Sequence, residues 1–438
     1  MSPAASASSA ASDDPAPGHD PYAVMRLPAF RKYWSGNLIS LMATQMQIVA
    51  VEWEIYDRTL AEYGTKQAVL ALTTVAFTQF LPVLLLSLPA GQIADRLNRK
   101  SVVLTAQLFT ALGAAGLAAT SLLHLPLWCM YACVLLIGTA RVTQQPSKAS
   151  LLPHLVPREL FSNAVTWSSS GFQLACIAGP ALAGGVVAFF HSYAILYVTQ
   201  CIAVLTFFAL LASVHVPHIE RTHEGNNLRE LLGGFRFIWH NKIILGALSL
   251  DLFAVLLGGA TTLLKPYSEQ ILHVGDMRLG WLRAAPAVGA IAMSIILAHR
   301  PPMERAGRSL LWAVAGFGVA TIVFGISRNY WLSLAMLFLT GALDMISVVV
   351  RHTLVQMLTP DEMRGRVQGV NGLFIGASNE LGGCESGMVA WLFDRPSDPA
   401  FGLTVSVVSG GLGTMAVVAY VALRSPRLRR YGRIDATT

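Results

Sequence analysis

Residues 68–104 read AVLALTTVAFTQFLPVLLLSLPAGQIADRLNRKSVVL. The first 23 of them, 68–90, contain no Asp, Glu, Lys, Arg or His. An α-helix needs ~20 apolar residues to cross the hydrocarbon core of a bilayer. Only helices and closed barrels satisfy their backbone in lipid, and this run lacks the apolar/polar alternation of a barrel strand. At Gly91 the character changes. Asp95, Arg96, Arg99 and Lys100 follow within ten positions, and then the next apolar run begins. A charge-free crossing, a short basic loop and a second crossing make the hairpin unit of a multi-span membrane protein.

The rest of the chain repeats that unit. Apolar runs fall at about 34–56, 68–90, 101–123, 127–147, 163–190, 193–215, 243–264, 279–299, 309–327, 331–351, 367–392 and 402–423. These are twelve expected spans, of which the first and eleventh are the least apolar. Composition agrees: of 438 residues 54% are hydrophobic and only 13% charged, where a soluble chain carries about 25% charged. The net charge of +7 is read as basic loops on one face of the membrane rather than as a nucleic-acid surface. With the N-terminus placed inside, 23 of the 31 Lys and Arg residues fall on the cytoplasmic side and 6 on the other. That asymmetry predicts a multi-pass protein of the cytoplasmic membrane with both termini inside.

The chain ends and the middle connection differ from the spans. Residues 1–25, rich in Ala, Ser and Pro, read as a disordered cytoplasmic tail without the basic start and apolar core of a secretory signal. Residues 425–438 read as a basic tail. The longest connection, 216–242, holds NNLRELLGGFRFIWH, whose Leu228, Leu231, Leu232, Phe235 and Trp239 recur at helical spacing. It predicts an amphipathic helix on the inner membrane surface. It joins an N-terminal half, 26–215, to a C-terminal half, 243–424. The halves repeat at an offset of 203: KASLLPHLVPREL aligns with RHTLVQMLTPDEM, pairing Pro157 with Pro360 and Glu159 with Glu362. Duplicated multi-span units are a transporter signature, with the solute site between the repeats. In the second segment Thr359 and Glu362 form a capping-box pattern that predicts the start of a short helix on the inner face.

Three motifs carry a resemblance. GQIADRLNRKSVVL, from Gly91 to Leu104, resembles the G-x-L-A-D-R-x-G-R-K loop of the major facilitator superfamily, with Asn98 in place of a glycine. Asn is the residue after Gly that best tolerates the left-handed conformation, so the turn is expected to survive. Arg141 and Gln144 match the family's Arg-x-x-Gln motif, with Gln145 where a glycine is usual. AGPALAGG, Ala178 to Gly185, is similar to the G-P-x-x-G-G of the antiporter branch through Gly179, Pro180 and Gly184. DLFAVLLGGATTLL, LGWLRAAPAVGA and SNELGGCESG resemble the efflux branch that includes enterobactin exporters and macrolide-efflux proteins, with Lys265 where an apolar residue or proline is expected. The resemblance implies an all-α fold of twelve transmembrane helices in two pseudo-symmetric six-helix halves. It implies that Gly91, Asp95, Arg96, Arg99 and Lys100 form a conformational latch loop, that Arg141 takes part in proton coupling, and that Gly179, Pro180 and Gly184 pack one helix closely on another.

Ionisable groups inside a bilayer are costly and mark candidate sites. Here they are Glu52, Glu54, Arg141, Asp251, Arg283, Asp344, Glu380 and Glu385. Gln45, Gln47, Asp251, Asp344 and Glu380 fall near mid-membrane by position, with Asn379 beside them. Glu52 and Glu54, two apart, face opposite sides of a helix, and Glu52 lies closer to the outer interface. The candidates for coupling or solute binding are therefore Gln45, Gln47, Glu54, Arg141, Asp251, Asp344, Asn379 and Glu380. No cofactor is expected, nor a metal: Cys129 and Cys133 share a helix face but have no third ligand. No phosphate-binding loop or catalytic cluster is present, which argues against an ATP-driven pump and an enzyme. The reading is a monomeric secondary transporter, with protons and a small amphipathic organic solute as its partners, working in export. Uptake or facilitated diffusion is the alternative, and a sensor or lipid enzyme a more distant one.

Overall fold

A computed structural model describes residues 20, 22–215, 227–258, 260–299, 305–395 and 397–429. Of the expected tails, 1–25 and 425–438, residues 1–19, 21 and 430–438 lie outside the described residues, as do 216–226 of the connection. Among the described residues fifteen α-helices are seen: α1 Pro28–Tyr63, α2 Thr65–Arg96, α3 Arg99–Leu122, α4 Leu127–Leu151, α5 Phe161–Phe190, α6 Ala194–Ala212, α7 Asn227–His240, α8 Lys242–Leu257, α9 Leu264–Tyr267, α10 Asp276–Ala298, α11 Ala306–Ile326, α12 Tyr330–Leu358, α13 Asp361–Leu392, α14 Pro399–Arg424 and α15 Pro426–Arg429. Helices α1 to α6 make one half of six spans. Helix α8 with its continuation through α9, followed by α10 to α14, makes the other. Ten of the twelve are long and apolar enough to cross a membrane. The other two are α1 and α13, which carry the carboxylates Glu52, Glu54, Asp57, Glu380 and Glu385 along their length.

Local structure departs from the sequence reading at four places. Tyr22 to Arg26, which begin inside the expected tail, form a turn and a 3-10 helix whose Val24 is fully buried. Asn98 is not left-handed: with φ −64° it is extended, and its side chain accepts from the Lys100 and Ser101 N–H groups as the N-cap of α3. The expected short helix after Thr359 does not exist as a separate unit. Helix α13 starts at Asp361 without a side-chain cap and runs unbroken for 32 residues. The seventh span, expected as one helix, is broken. Helix α8 ends at Leu257, and the chain resumes as a 3-10 turn at Ala260–Leu263, then α9 and a π-turn at Ser268–Leu272. Irregular backbone at membrane depth is tolerated where it is buried in protein or lines a cavity.

The core shows how the halves meet. At the end of the bundle away from the chain termini, one continuous apolar cluster joins them, from Trp53, Met130 and Tyr197 in the first half to Leu263, Tyr267, Leu279 and Phe324 in the second. At the termini end the clusters are separate: Phe30, Tyr33, Leu151 and Phe207 in the first half, and Leu250, Leu310, Leu354 and Leu428 in the second. The halves are thus sealed at the far end. Helix α7 packs on α13, with Phe235 edge-on to Phe374 at 6.3 Å and Ile238 buried, while Trp239 stays exposed.

Candidate functional site

The centre of the bundle holds two ion pairs that cross between the halves. Arg141 of α4 donates through Nη2 to the Glu380 carboxylate of α13 at 2.7 Å. Arg283 of α10 donates through Nη2 to the Glu52 carboxylate of α1 at 3.1 Å. The pairs are oppositely directed: each half supplies one cation and one anion. Arg283 also donates to the carbonyl oxygen of Thr261, in the broken part of the seventh span. That break is what frees a backbone acceptor at this depth, since a continuous helix would hold the carbonyl in its own ladder.

A small pocket lies beside Arg141, lined by Thr44, Gln47, Ile48, Val51, Gln79, Val134, Ile137 and Gly138, all of the first half. Its lining combines two carboxamides, a hydroxyl and the guanidinium with branched aliphatics. Such a lining suits an amphipathic solute that carries hydrogen-bond acceptors. Gln45 lies apart from it and donates to Cys176 Sγ at 2.8 Å. Gln144, the partner residue in the Arg-x-x-Gln motif, accepts from Gln107 at 2.7 Å and is buried within the first half. Asn379 is exposed and donates to the Ile375 carbonyl one turn back.

Farther toward the sealed end, Lys265 is enclosed by three carboxylates: Asp57 of α1 at 3.1 Å, Glu269 at 3.0 Å and Asp276 of α10 at 3.1 Å. Its side chain is 5% exposed and its ammonium stands 5.5 Å from the Trp53 ring centroid. Tyr193 donates to Asp57, and Gln270 donates to Tyr56 at 2.9 Å and Thr65 at 3.2 Å. The Gln270 contacts also bridge the halves. Lys265, unexpected in an apolar stretch, is thereby accounted for as the hub of the closed end.

The other candidates lie within one half. Glu54 faces Arg58, four residues on, at 3.7 Å, and Arg58 also donates to the Leu125 carbonyl. Asp251 of α8 is paired with Arg351 of α12. Asp344 lines a second cavity with Asp251 and Ser347. Gly179 lies against Gln45 of α1, and Gly184 against Gly280 of α10. A Cβ at Gly184 would stand 2.5 Å from the Asp276 carbonyl oxygen, so glycine there sets the close approach of α5 and α10. Of the loop residues, Arg99 donates to the Ser150 carbonyl at 3.3 Å, and its Nη1 lies 2.8 Å from His154 Nε2. Lys100 donates to the Ala212 and Val214 carbonyls at 2.8 and 2.7 Å. Both contacts tie the start of α3 to the ends of α4 and α6. The side chains of Asp95 and Arg96, and the surroundings of Gly91, lie outside the described residues. Among the described residues no group of three His, Cys, Asp or Glu side chains is set to hold a metal ion.

The sequence reading named Glu52 and Arg283 as intramembrane ions but left them out of the coupling and binding candidates, noted Lys265 only as a departure, and did not name Asp57. The signal available was the pair Glu52/Glu54, of which only one can face the centre. Position along the span favoured Glu54, whereas helix rotation in the fold selects Glu52.

Comparisons with known proteins fit this geometry. The family described as transmembrane secretion effector matches residues 19–430. Enterobactin exporter EntS of Escherichia coli O1:K1 / APEC is 27% identical over 411 residues, covering 91% of this chain and 93% of the relative. The EntS of Citrobacter koseri is 28% identical over 346 residues, covering 78% and 80%. Among solved structures, a bacterial homologue of the human lysosomal transporter Spinster, in an inward-facing and occupied conformation, superposes with a TM-score of 0.68 at 14% identity, covering 95% of this chain and 100% of that one. The peptide-transporter-family protein PepTSo superposes with a TM-score of 0.69 at 11% identity, covering 92% and 98%. Those two likenesses concern the fold. This chain is a multi-pass membrane transporter, not an enzyme, and belongs to the transmembrane secretion effector family of the major facilitator superfamily.

Proposed function

We propose that the protein exports a small amphipathic organic compound, siderophore- or drug-like, across the cytoplasmic membrane as a monomer, driven by protons entering the cell. Export is supported by the family and by relatives named as enterobactin exporters along most of their length. The excess of basic residues on the side bearing the termini supports a cytoplasmic position for both ends, and the sealed far end is then the outer one. The molecule described is in that reading inward-facing, ready to load from the cytoplasm.

The observation that carries the proposal is the opposed pair of ion pairs, Arg141–Glu380 and Arg283–Glu52. Rocking the halves apart at this level strips both cations and both anions of their partners. An unpaired ion away from bulk water costs several kcal/mol. Two partners can reduce that cost. On the outward stroke an acidic or acceptor-rich group of the solute, seated beside Gln47 and Gln79, replaces Glu380 on Arg141; on the return stroke, with the solute gone, a proton on Glu380 parts it from Arg141 instead. Solute and proton thus alternate at one ion pair and do not travel together, which is the exchange that antiport needs.

The test is flux in proteoliposomes with an imposed pH gradient, against a panel of catecholate and hydroxamate siderophores, macrolides and cationic dyes. The proposal expects at least one compound to move uphill in the direction opposite to the protons and to stop when a protonophore collapses the gradient. Transport of a compound at a rate indifferent to the gradient would contradict proton coupling. Movement of solute and protons in the same direction would contradict export.

A further inference from the structure

The pocket beside Arg141 holds a buried polar group that the fold leaves unsatisfied. Gln47 of α1 lines it and is 4% exposed, yet its carboxamide makes no hydrogen bond with another described residue. Buried side-chain amides are as a rule hydrogen-bonded, so one that is not marks a place where a ligand completes the set. Gln79 of α2, also on the lining, makes no hydrogen bond with a described residue either. Thr44 differs. Its hydroxyl donates to the Ser40 carbonyl at 2.8 Å and accepts from Gln200 at 3.1 Å, so it belongs to the frame of the first half. The groups left to meet a solute are two carboxamides and the guanidinium N–H groups of Arg141 that Glu380 does not take.

The charge at this pocket has one sign. Among the residues that line it, Arg141 is the single ionisable one. Helices α3 to α6 contain no Asp or Glu, and α2 has only Asp95, near its end. The carboxylates deep in α1 are all engaged: Glu52 by Arg283, Glu54 by Arg58 and Asp57 by Lys265. The carboxylate that does reach Arg141, Glu380, is carried by the other half. An ammonium group seated between Gln47 and Gln79 would therefore lie against a guanidinium with no anion of the same half to offset it, and like charges at that range repel. A carboxylate in the same place meets a planar fork of N–H donors and two carboxamides that donate as well.

We propose that this pocket is a receptor for one oxygen-acid group of the solute, with Gln47 and Gln79 as specificity-determining residues, so that the transporter selects organic anions and rejects organic cations of the same size. This rests on the reading of the protein as an exporter whose solute loads at Arg141. The receptor belongs wholly to the first half, and the second half supplies the competitor. The Glu380 carboxylate holds the Arg141 fork until the acid takes it over. Neutralising Glu380 therefore strengthens solute binding, because the acid no longer has to displace a carboxylate. The pocket is small, so recognition is confined to the head group. Ile48, Val51, Val134 and Ile137 contact the apolar carbon that adjoins it, and the rest of the solute extends beyond.

The test uses three probes with one apolar body and different heads: 2-naphthoate, 2-naphthamide and 2-naphthylmethylammonium. Equilibrium dialysis at neutral pH against the full chain in lipid nanodiscs, with empty discs as the baseline, gives their Kd without any gradient. The parent is expected to bind the carboxylate about tenfold tighter than either other probe, as a site built for one hydrogen-bonding pattern does. Arg141→Gln is expected to erase that preference. Gln47→Glu and Gln79→Glu, which place a carboxylate in the pocket with little change of shape, are expected to erase or reverse it, and they carry the test should Arg141→Gln fail to fold. Glu380→Gln is expected to bind the carboxylate several-fold tighter than the parent. Binding of the ammonium as tight as that of the carboxylate, no carboxylate binding above the empty discs, or a preference that survives both Gln47→Glu and Gln79→Glu overturns the receptor. Weaker carboxylate binding by Glu380→Gln overturns the competition. Flux under a pH gradient tells the two readings apart: an acid preference without gradient-driven flux defeats proton-driven export alone, and gradient-driven export without an acid preference defeats the receptor alone.

Discussion

Glu52 and Glu54 show what the sequence can and cannot convey at the level of a residue. Spacing establishes that two carboxylates two apart face opposite sides of a helix. Which of them faces the partner half depends on the rotation of α1, set by packing from α2, α5 and α6. Glu52 meets Arg283 across the interface, and Glu54 meets Arg58 within its own helix. The account predicts that Glu52→Gln lowers gradient-driven flux about tenfold per folded molecule, in line with coupling energies of 1–3 kcal/mol. Glu54→Gln should leave flux per folded molecule near the parent value and lower stability by about 1–3 kcal/mol, since its carboxylate is buried and loses charge-assisted partners. Flux normalised to folded protein in the membrane decides. The reverse ranking would show that Glu54, not Glu52, faces the path. Other residues were legible: Arg141 and Glu380 stand out as ions in apolar spans, and the fold brings them to 2.7 Å.

At the level of elements, length and hydropathy located most spans, because crossing a bilayer requires a long apolar helix whatever its neighbours. Boundaries governed by local hydrogen bonding were less legible. Asn98 was expected to replace a glycine in a left-handed turn, but its side chain instead caps α3. The seventh span is as apolar as an unbroken helix. Its break is met by contacts remote in sequence, among them Arg283 on the Thr261 carbonyl and Phe317 against Gly258. The glycine motif of α5 was legible as a packing device, and its partner α10 was not. Gly184 and Gly280 bring these two helices together, one from each half. Gly184→Leu should force them apart at the sealed end, with a loss of stability of about 1–3 kcal/mol. It should also raise the reactivity of a cysteine placed at Asp276 toward an impermeant thiol reagent. Unchanged stability and unchanged reactivity would mean that the close approach does not hold the far end shut.

Across the whole molecule, the two-half architecture was readable from the 203-residue repeat and the basic loops, since both survive as one-dimensional patterns. The conformational state was not readable, because it resides in contacts between halves that are hundreds of residues apart. In the structure the apolar core is continuous at the far end and divided at the termini end. Lys265 with Asp57, Glu269 and Asp276 closes the former. The central claim is that the charges bridging the halves make opening conditional on proton and solute. It is tested most directly by measuring uphill flux and equilibrium exchange of the same solute, in proteoliposomes, for the parent and for Glu380→Gln. With residue 380 permanently neutral, Arg141 stays free for solute but no proton is exchanged there. The account predicts that Glu380→Gln retains exchange near the parent rate and loses gradient-driven accumulation. Accumulation at the parent level in Glu380→Gln, with exchange intact, would contradict it.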